Sequence, residues 1–330
     1  MRLILIIGGA GFIGSNLAKR LADRNTHRIV IVDQFSSGSK WNNLVRVPVD
    51  EIVAPNNLLN WLARYGSEVD AIFHLGGITS SVESDVEEII DANHNFPLKI
   101  WRWAAEHDAR FIYGSSYEVY GDGAFGFEDD DDLAYQNQLR PLNPNGWSKK
   151  LLDLHISGAP IREEKTPKQW VGLRFFNIYG PNEYHKGEAC SVAYKIYEKA
   201  SKGAAVQLFK SANPDYADGG QIRDFMYVLD AVNMLEWFLD SPDVSGVFNA
   251  GSGTSHSFEE LAHAVFKALG KEANIKYVDM PTEIEQQYQY KTEANIQKLR
   301  NVGYNRPVLN MEQGIEDYIR NYLQKDDPYL

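Results

Sequence analysis

Cysteine is almost missing from this chain: Cys190 is the only one in 330 residues. No intrachain disulfide can form and no multi-cysteine metal site can be built. Long apolar runs are missing as well; none approaches the ~20 residues a membrane-spanning helix needs. Positive charge is in deficit, with 33 Lys and Arg against 45 Asp and Glu, a net charge of −12. A nucleic-acid binder is expected to present a basic face, so nucleic acid is not an expected partner. An anionic ligand must then be held by local cations and helix ends, against the overall charge. Ligand spacing is lacking among His74, His94, His107 and His185, so no metal site is expected. Around Ser115 and Ser116 there is no Gly-x-Ser-x-Gly elbow, which argues against a hydrolase nucleophile. No signal-peptide pattern precedes the first apolar run, and a cytoplasmic location is expected by elimination.

What the chain has is a glycine-rich stretch near its start, Gly8-Gly9-Ala10-Gly11-Phe12-Ile13-Gly14. Residues 2–7 before it form an apolar run long enough for a strand buried on both faces. Residues 15–23 after it read as a helix with Leu17, Ala18 and Leu21 on one face. Residues 28–32 form a second apolar run that ends at Asp33, nineteen residues after Gly14. In this arrangement Gly8 permits a tight strand-to-helix turn, Gly11 lets the backbone approach a pyrophosphate, and Gly14 lets the helix pack close to the strand. The free N–H groups and positive end of the helix face the phosphates. Asp33 is placed to accept hydrogen bonds from an adenosine ribose. Lys40, in the polar loop of residues 34–40, could pair with a 2′-phosphate and favour NADP over NAD. Asp33 would repel that phosphate, so the two residues pull in opposite directions.

Further along, residues 71–75 read as a buried strand ending in Leu75, with Gly76-Gly77 again allowing close approach of a cofactor. A short helix is expected over 57–65 and a long amphipathic one over 86–107, with Pro97 kinking it or starting a second segment. Residues 110–113 form another strand, ending in Gly114-Ser115-Ser116-Tyr117-Glu118-Val119-Tyr120-Gly121. Polar side chains at the carboxyl end of a parallel strand face the binding crevice. The acidic run of residues 122–132 reads as a solvated loop without chemistry. A helix over 144–157 carries Asn145 and Lys149 one turn apart on one face. After a strand at 171–175, residues 177–181 read as a loop. The alternation of strands and helices implies an α/β fold with a doubly wound parallel (Rossmann) sheet over residues 1–180. Residues 181–330 read as a smaller C-terminal α/β lobe that closes over a second ligand, with small parts of each crossing over. Its expected elements are helices at 189–203, 229–239, 257–269 and 313–323, and strands at 206–209, 224–228, 248–251 and 275–278. Ser255 or Ser257 is the expected cap of the third of these helices.

The glycine triplet with Ser115, Ser116 and Lys149 resembles the extended short-chain dehydrogenase/reductase superfamily. Within it the chain is most similar to the ADP-heptose 6-epimerases. That closer likeness rests on residues 38–44, 176–187 (Phe176 to Gly187, with His185-Lys186-Gly187), 223–228, and Gln287-Tyr288-Gln289 with 292–295 and 299–304. The resemblance implies a redox epimerisation: a tightly bound NADP, or NAD, removes hydride from C6 of the heptose and returns it to the other face of a transient ketone. It also implies that Ser116 orients the substrate, that Lys149 contacts the nicotinamide ribose, and that Lys186 is a second acid/base. By the same resemblance Asn177, Arg223 and Tyr288 hold the sugar and diphosphate. Arg223 suits that role because a guanidinium grips phosphate oxygens in a bidentate fork. Phe12, Ile13, Leu75, Gly76, Asn93 and Lys40 match cofactor contacts. An ADP-sugar or other nucleotide-sugar substrate and a homo-oligomer are the implied partners.

Two positions depart from the family pattern. The catalytic pair of the superfamily is Tyr-x-x-x-Lys, and here the first position is Asn145. A carboxamide does not titrate in water and cannot act as a general base; such a loss costs on the order of 10²–10⁴ in rate. Where these epimerases have small residues, this chain has Tyr117 and Glu118. Glu118 matches an acid of relatives that make UDP-xylose or 4-keto-6-deoxy sugars. Three readings follow: an active-site variant that binds but turns over poorly, a protein whose acid/base role has moved to Tyr117, Glu118 or Lys186, or an enzyme of another nucleotide sugar. Tyr117 and Glu118 as mere crevice wall stand beside the catalytic reading.

Overall fold

A computed structural model of the chain describes residues 1–35, 38–79, 85–281, 285 and 288–330. Ser36, Ser37 and Gln287, part of the polar loop and of the Tyr-Gln stretch, lie outside the described residues. The N-terminal half runs β1 (Arg2–Ile7), α1 (Phe12–Arg24), β2 (His27–Val32), β3 (Glu51–Val53), α2 (Leu58–Tyr65) and β4 (Val69–His74). It continues with α3 (Val86–Ile90), α4 (Phe96–Glu106), β5 (Arg110–Ser116), α5 (Leu133–Gln138), α6 (Pro144–Ser157) and β6 (Trp170–Phe175). The second half contains β7 (Asn177–Tyr179), α7 (Val192–Ser201), β8 (Val206–Phe209), β9 (Ile222–Tyr227) and α8 (Val228–Asp240). After these come β10 (Gly246–Ala250), β11 (Ser255–Ser257), α9 (Phe258–Leu269), β12 (Ile275–Val278), α10 (Gln297–Asn301) and α11 (Met311–Tyr318).

Seven strands make the main sheet in the order β10-β6-β5-β4-β1-β2-β3, and every pairing in it is parallel. Such a sheet must be covered on both faces, which is why its central strands β1, β4, β5 and β6 are mostly apolar and buried without alternation. The period of two divides β1 between two cores. Ile4 and Ile6 pack with Leu17 and Leu21 of α1 and Leu235 and Phe238 of α8. Leu3, Leu5 and Ile7 pack on the other face with Trp101 of α4 and Leu152 and Ile156 of α6. A third core, including Ile196, Phe225, Leu261, Val265, Met311 and Ile315, belongs to the smaller lobe. There β7 and β9 pair in parallel, β11 pairs antiparallel to β9, and β8 pairs with β12.

Several expectations change in the folded chain. Helix α1 begins at Phe12, three residues before the expected start, because Gly11 in extended conformation (ψ −178°) already ends the turn. The helix expected over 86–107 is interrupted at Asp91–Asn95 by a π-helical turn, and Pro97 lies in the first turn of α4. The Phe96 N–H still bonds back to the Asp91 carbonyl across the π turn, and Pro97, which has no N–H to donate, follows at once. Residues 177–179, expected as loop, form β7. Small segments cross residue 180 in both directions, in keeping with the expected crossing over: β7 pairs with β9 of the small lobe, while β10 is an edge strand of the main sheet. The acidic run is not wholly solvated. Asp129 is buried and accepts the Asn249 N–H (2.9 Å), and Asp131 accepts the Val247 N–H (2.7 Å) and pairs with Lys298 (2.6 Å). These carboxylates satisfy the open edge of β10. Ser257, not Ser255, caps α9, in a capping box with Glu260.

Candidate active site

The strand order turns back between β1 and β4, and an open parallel sheet binds its ligand outside the carboxyl ends at that point. Gly8 follows β1 and Gly76 follows β4. A Cβ on Gly8 would lie 2.4 Å from the Gly76 nitrogen, and φ of Gly8 is +77°. A Cβ on Gly14 would lie 2.2 Å from the Gly8 carbonyl oxygen. The chain thus makes a bare backbone cradle at the N-terminus of α1, and no acidic residue occupies the helix's first turn. Such a surface accepts a pyrophosphate. Ile13 and Leu75 are partly exposed beside it, while Phe12 is buried.

Asp33 ends the second strand as expected, but its carboxylate is already engaged. Oδ2 accepts the Ala10 N–H (2.8 Å), and Oδ1 accepts the Gln34 N–H (2.7 Å) and the Lys40 ammonium (2.5 Å). The opposition of Asp33 and Lys40 read from the sequence is therefore an ion pair in space. Lys40 thereby offsets part of the charge that would repel a 2′-phosphate. Replacing Lys40 by Ala is expected to weaken NADP binding roughly tenfold, the worth of about one charge-assisted hydrogen bond, with NAD affinity nearly unchanged. Calorimetric titration with both nucleotides checks this; equal losses for the two would show that Lys40 reads no 2′-phosphate.

The π-helical turn places Asn93 at the centre of a buried network. Its Oδ1 accepts the Ile78 N–H (2.9 Å), and its Nδ2 lies 2.9 Å from the Ile78 carbonyl and 3.1 Å from both Asn145 Oδ1 and Ser148 Oγ. The Asn145 Nδ2 donates to Glu118 Oε2. Asn143, the N-cap of α6, donates through Nδ2 to Glu118 Oε1 (3.0 Å), and the Ser116 hydroxyl lies 3.4 Å from Oε2. Gly146 makes this closeness possible, because a Cβ there would lie 2.6 Å from the Glu118 carbonyl oxygen. The participation of Asn143 was missed from the sequence; the Asn-Pro helix-start signal at 143–144 was the sign that could have found it.

Lys149 is buried and donates to the Gly114 carbonyl (3.0 Å). Burial pushes its ammonium down to about 8, against the upward pull of Asp153 and Glu118. An unfolded chain keeps that proton up to the ordinary lysine value of 10.5. Between those two values the unfolded state binds more protons, so stability rises with pH through that window. The unfolding free energy of the native chain is expected to gain on that of a Lys149→Met chain as pH goes from about 8 to about 10. Urea unfolding at several pH values measures it, and parallel pH profiles would contradict it. His74, buried below the site, is held down to about 3 by burial and by Lys149 and is neutral at physiological pH.

On the other side of Glu118 lies a second group. The Asn177 Nδ2 donates to the Tyr117 hydroxyl (3.3 Å). The Arg223 guanidinium is 5.2 Å from the centroid of the Tyr288 ring and 5.5 Å from that of Phe258. Burial raises the Tyr117 phenol, Glu118 adds to the rise, and Arg223 opposes it. Asn177 Oδ1 is buried and has no hydrogen-bond partner among the described residues. Next to Arg223, Asp224 is buried and locks the lobe by accepting from Ser252, Gly253 and Ala294 N–H groups at 2.7–3.1 Å. Tyr117, Asn177, Arg223 and Tyr288 are thereby one cluster. Lys186 stands apart from it: its ammonium is 5.4 Å from the centroid of the Phe12 ring, over the start of α1. No hydrogen bond or ion pair joins it to the cluster among the described residues. No group of three or more His, Cys, Asp or Glu suited to a metal occurs among the described residues. None of their helices is long and apolar enough to cross a membrane.

The family model for the NAD dependent epimerase/dehydratase family matches residues 4–251. The ADP-L-glycero-D-manno-heptose-6-epimerase of Nitratidesulfovibrio vulgaris (strain DP4) is 40% identical over 331 residues, covering 99% of this chain and 100% of that protein. The protein of the same name from Fusobacterium nucleatum is 36% identical over 336 residues, with 99% and 100% covered. Among solved structures, the Helicobacter pylori ADP-L-glycero-D-manno-heptose-6-epimerase superposes with a TM-score of 0.78 at 28% identity, covering 97% of this chain and 96% of that one. The dTDP-glucose 4,6-dehydratase from Bacillus anthracis in complex with NAD shares the fold, with a TM-score of 0.78 at 22% identity and 100% and 99% covered.

Proposed function

Because the chain belongs to the NAD dependent epimerase/dehydratase family, we propose that it is a nucleotide-sugar epimerase that inverts C6 of an ADP-linked heptose. The observation that carries the reading is the joining of Asn177, Arg223 and Tyr288 around Tyr117, at the carboxyl end of β5. These residues come from four separate stretches, and they offer one phosphate-gripping cation, one free carboxamide oxygen and two aromatic faces. The full-length likeness to ADP-heptose epimerases supports ADP as the carrier.

The residues at the sheet crevice fit a pyridine dinucleotide. The bare cradle of Gly8, Gly11 and Gly14 takes the pyrophosphate at the helix end, Asp33 and Lys40 take the adenosine ribose, and NADP is the preferred form through Lys40. Gly76 and Leu75 line the same crevice, and Lys149 and Asn93 lie where the nicotinamide ribose is expected. When bound, the nicotinamide supplies hydride removal from the sugar carbon and hydride return to its other face. Ser116 orients the sugar hydroxyl, Arg223 and Tyr288 clamp the diphosphate end, and Lys186 closes over the cradle from the small lobe. Nothing is consumed in the cycle.

Incubation with one C6 epimer of the ADP-heptose and proton NMR of the mixture tests the proposal; a mixture of both epimers is expected. The reading is lost if neither epimer changes while a different nucleotide sugar does. That second outcome is the alternative favoured by Glu118, a carboxylate placed where the epimerases named in the resemblance have a small residue.

A further inference from the structure

We infer that Glu118 takes and returns the proton of the oxidised sugar hydroxyl, with Asn145 as the residue that positions it. The inference deepens the epimerase reading and rests on the transient oxidation it contains.

The network around Glu118 holds a half-buried carboxylate in the turn that follows β5. Asn145, on α6, bridges two neighbours: its Oδ1 accepts from Asn93 and its Nδ2 donates to Glu118 Oε2. Asn143 holds the other oxygen, Oε1, at 3.0 Å. The Glu118 backbone is fixed too, because its N–H donates to Ser116 Oγ (3.2 Å) and Gly146 presses against its carbonyl. The short turn Tyr117–Tyr120 thus carries a carboxylate held by two carboxamides, with no cation paired to it by a salt bridge among the described residues. Two carboxamides cannot accept its proton or give it one at neutral pH. They fix its position and leave its oxygens free for one more partner. Ser116 Oγ, the hydroxyl assigned to orient the substrate, is 3.4 Å from Oε2. A sugar hydroxyl bonded to Ser116 is therefore within reach of the same oxygen. Where the superfamily has a phenol, the Asn145 carboxamide meets the Glu118 carboxylate.

The step balances as follows. The sugar O–H proton passes to the Glu118 carboxylate. The carbon's hydrogen leaves with the C–H electron pair to the oxidised nicotinamide of the family cofactor, and the C–O bond becomes C=O. After the sugar turns, the same hydrogen and electron pair return to the opposite face of the carbon. The Glu118 carboxyl returns its proton to the oxygen. Configuration is inverted, and both the carboxylate and the cofactor end as they began. A carboxylate is a weaker base than a phenolate, and its use here asks for a carboxylate oxygen fixed close to the sugar hydroxyl; the two carboxamides do the fixing.

The test compares the unmodified chain with Glu118→Gln, Glu118→Asp and the double variant Glu118→Gln with Asn145→Tyr. Epimer interconversion is followed by NMR, binding of NADP and of the nucleotide sugar by calorimetry, and folding by thermal melting. Glu118→Gln is expected to lose on the order of 10²–10⁴ in rate while both affinities stay within roughly threefold, a change under 1 kcal/mol. Glu118→Asp keeps part of the rate, and the added phenol restores part of what Glu118→Gln lost. Should Glu118→Gln fail to fold, Glu118→Asp and Glu118→Ala carry the same comparison. Full rate in Glu118→Gln overturns the inference and leaves the epimerase reading standing. A rate loss matched by an equal loss of sugar affinity also overturns it, since Glu118 would then only bind. If the unmodified chain ignores ADP-heptose but turns over another nucleotide sugar that Glu118→Gln does not, the substrate reading falls and the inference holds. If no nucleotide sugar is turned over by the unmodified chain, both fall.

Discussion

A Gly14→Val chain is expected to lose at least about a hundredfold in affinity for NAD and NADP, some 2.7 kcal/mol. The reason is a contact that no side chain can relieve. A Cβ at this position falls 2.2 Å from the Gly8 carbonyl oxygen and 2.9 Å from Gly9 Cα, and all of these are backbone atoms. The same oxygen accepts the Gly11 N–H at 3.0 Å, which keeps the turn closed. Any branch at 14 must therefore lift α1 off the end of β1, and the helix N-terminus loses its aim at the phosphates. Overpacking of this kind costs about 1–3 kcal/mol of stability, occasionally more. Gly38→Ala is the matched control, because a Cβ there meets nothing within 4 Å among the described residues. Calorimetry with both nucleotides and thermal melting of the two variants decide the matter. Unchanged nucleotide affinity in Gly14→Val would falsify the placement of the cofactor in this cradle.

An Asp153→Ala chain is expected to lose about 3–5 kcal/mol of unfolding free energy, the cost of stranding a buried charge. Asp153 and Arg174 are both wholly buried, and Arg174 Nε donates to Asp153 Oδ2 at 2.9 Å. The same carboxylate accepts the Tyr113 and Ser115 hydroxyls at 3.0 Å each. Without it, among the described residues the guanidinium keeps only the Tyr120 hydroxyl (3.0 Å) and the Glu128 carbonyl (3.4 Å) as hydrogen-bond partners. Ser115 precedes Ser116 at the end of β5, so the loss also loosens the strand end that carries Ser116 and Glu118. Replacing both partners by apolar residues of similar size, Asp153→Leu with Arg174→Met, is expected to recover much of the loss. Urea denaturation gives the three free energies. A single variant as stable as the native chain would show that Arg174 finds another partner.

Much of the fold was legible because its signals are local. The apolar run, the glycines and the acid at 33 lie within one strand–turn–helix–strand unit, and each acts on residues nearby in the chain. Pro144 at a helix start and the apolar period of residues 258–269 speak in the same way. What failed was local pattern read where long-range pairing decides. Residues 177–179 become a strand because β9 lies beside them. Asp129 leaves water, and Asp131 turns one oxygen inward, because the edge of β10 needs acceptors.

The site divides along the same line. The types of its residues, including the carboxamide at 145 and the carboxylate at 118, stood in the sequence together with the chemistry that each permits. Their partners did not: that Lys40 neutralises Asp33, that Asn143 and Asn145 both hold Glu118, and that Lys186 lies over Phe12 while Arg223 lies against Tyr288, required the folded chain. Residue chemistry and turn preference belong to single residues and short segments, so one dimension suffices to state them. A hydrogen bond or an ion pair falls away within a few ångströms, and only the packing of distant segments determines which groups come that close.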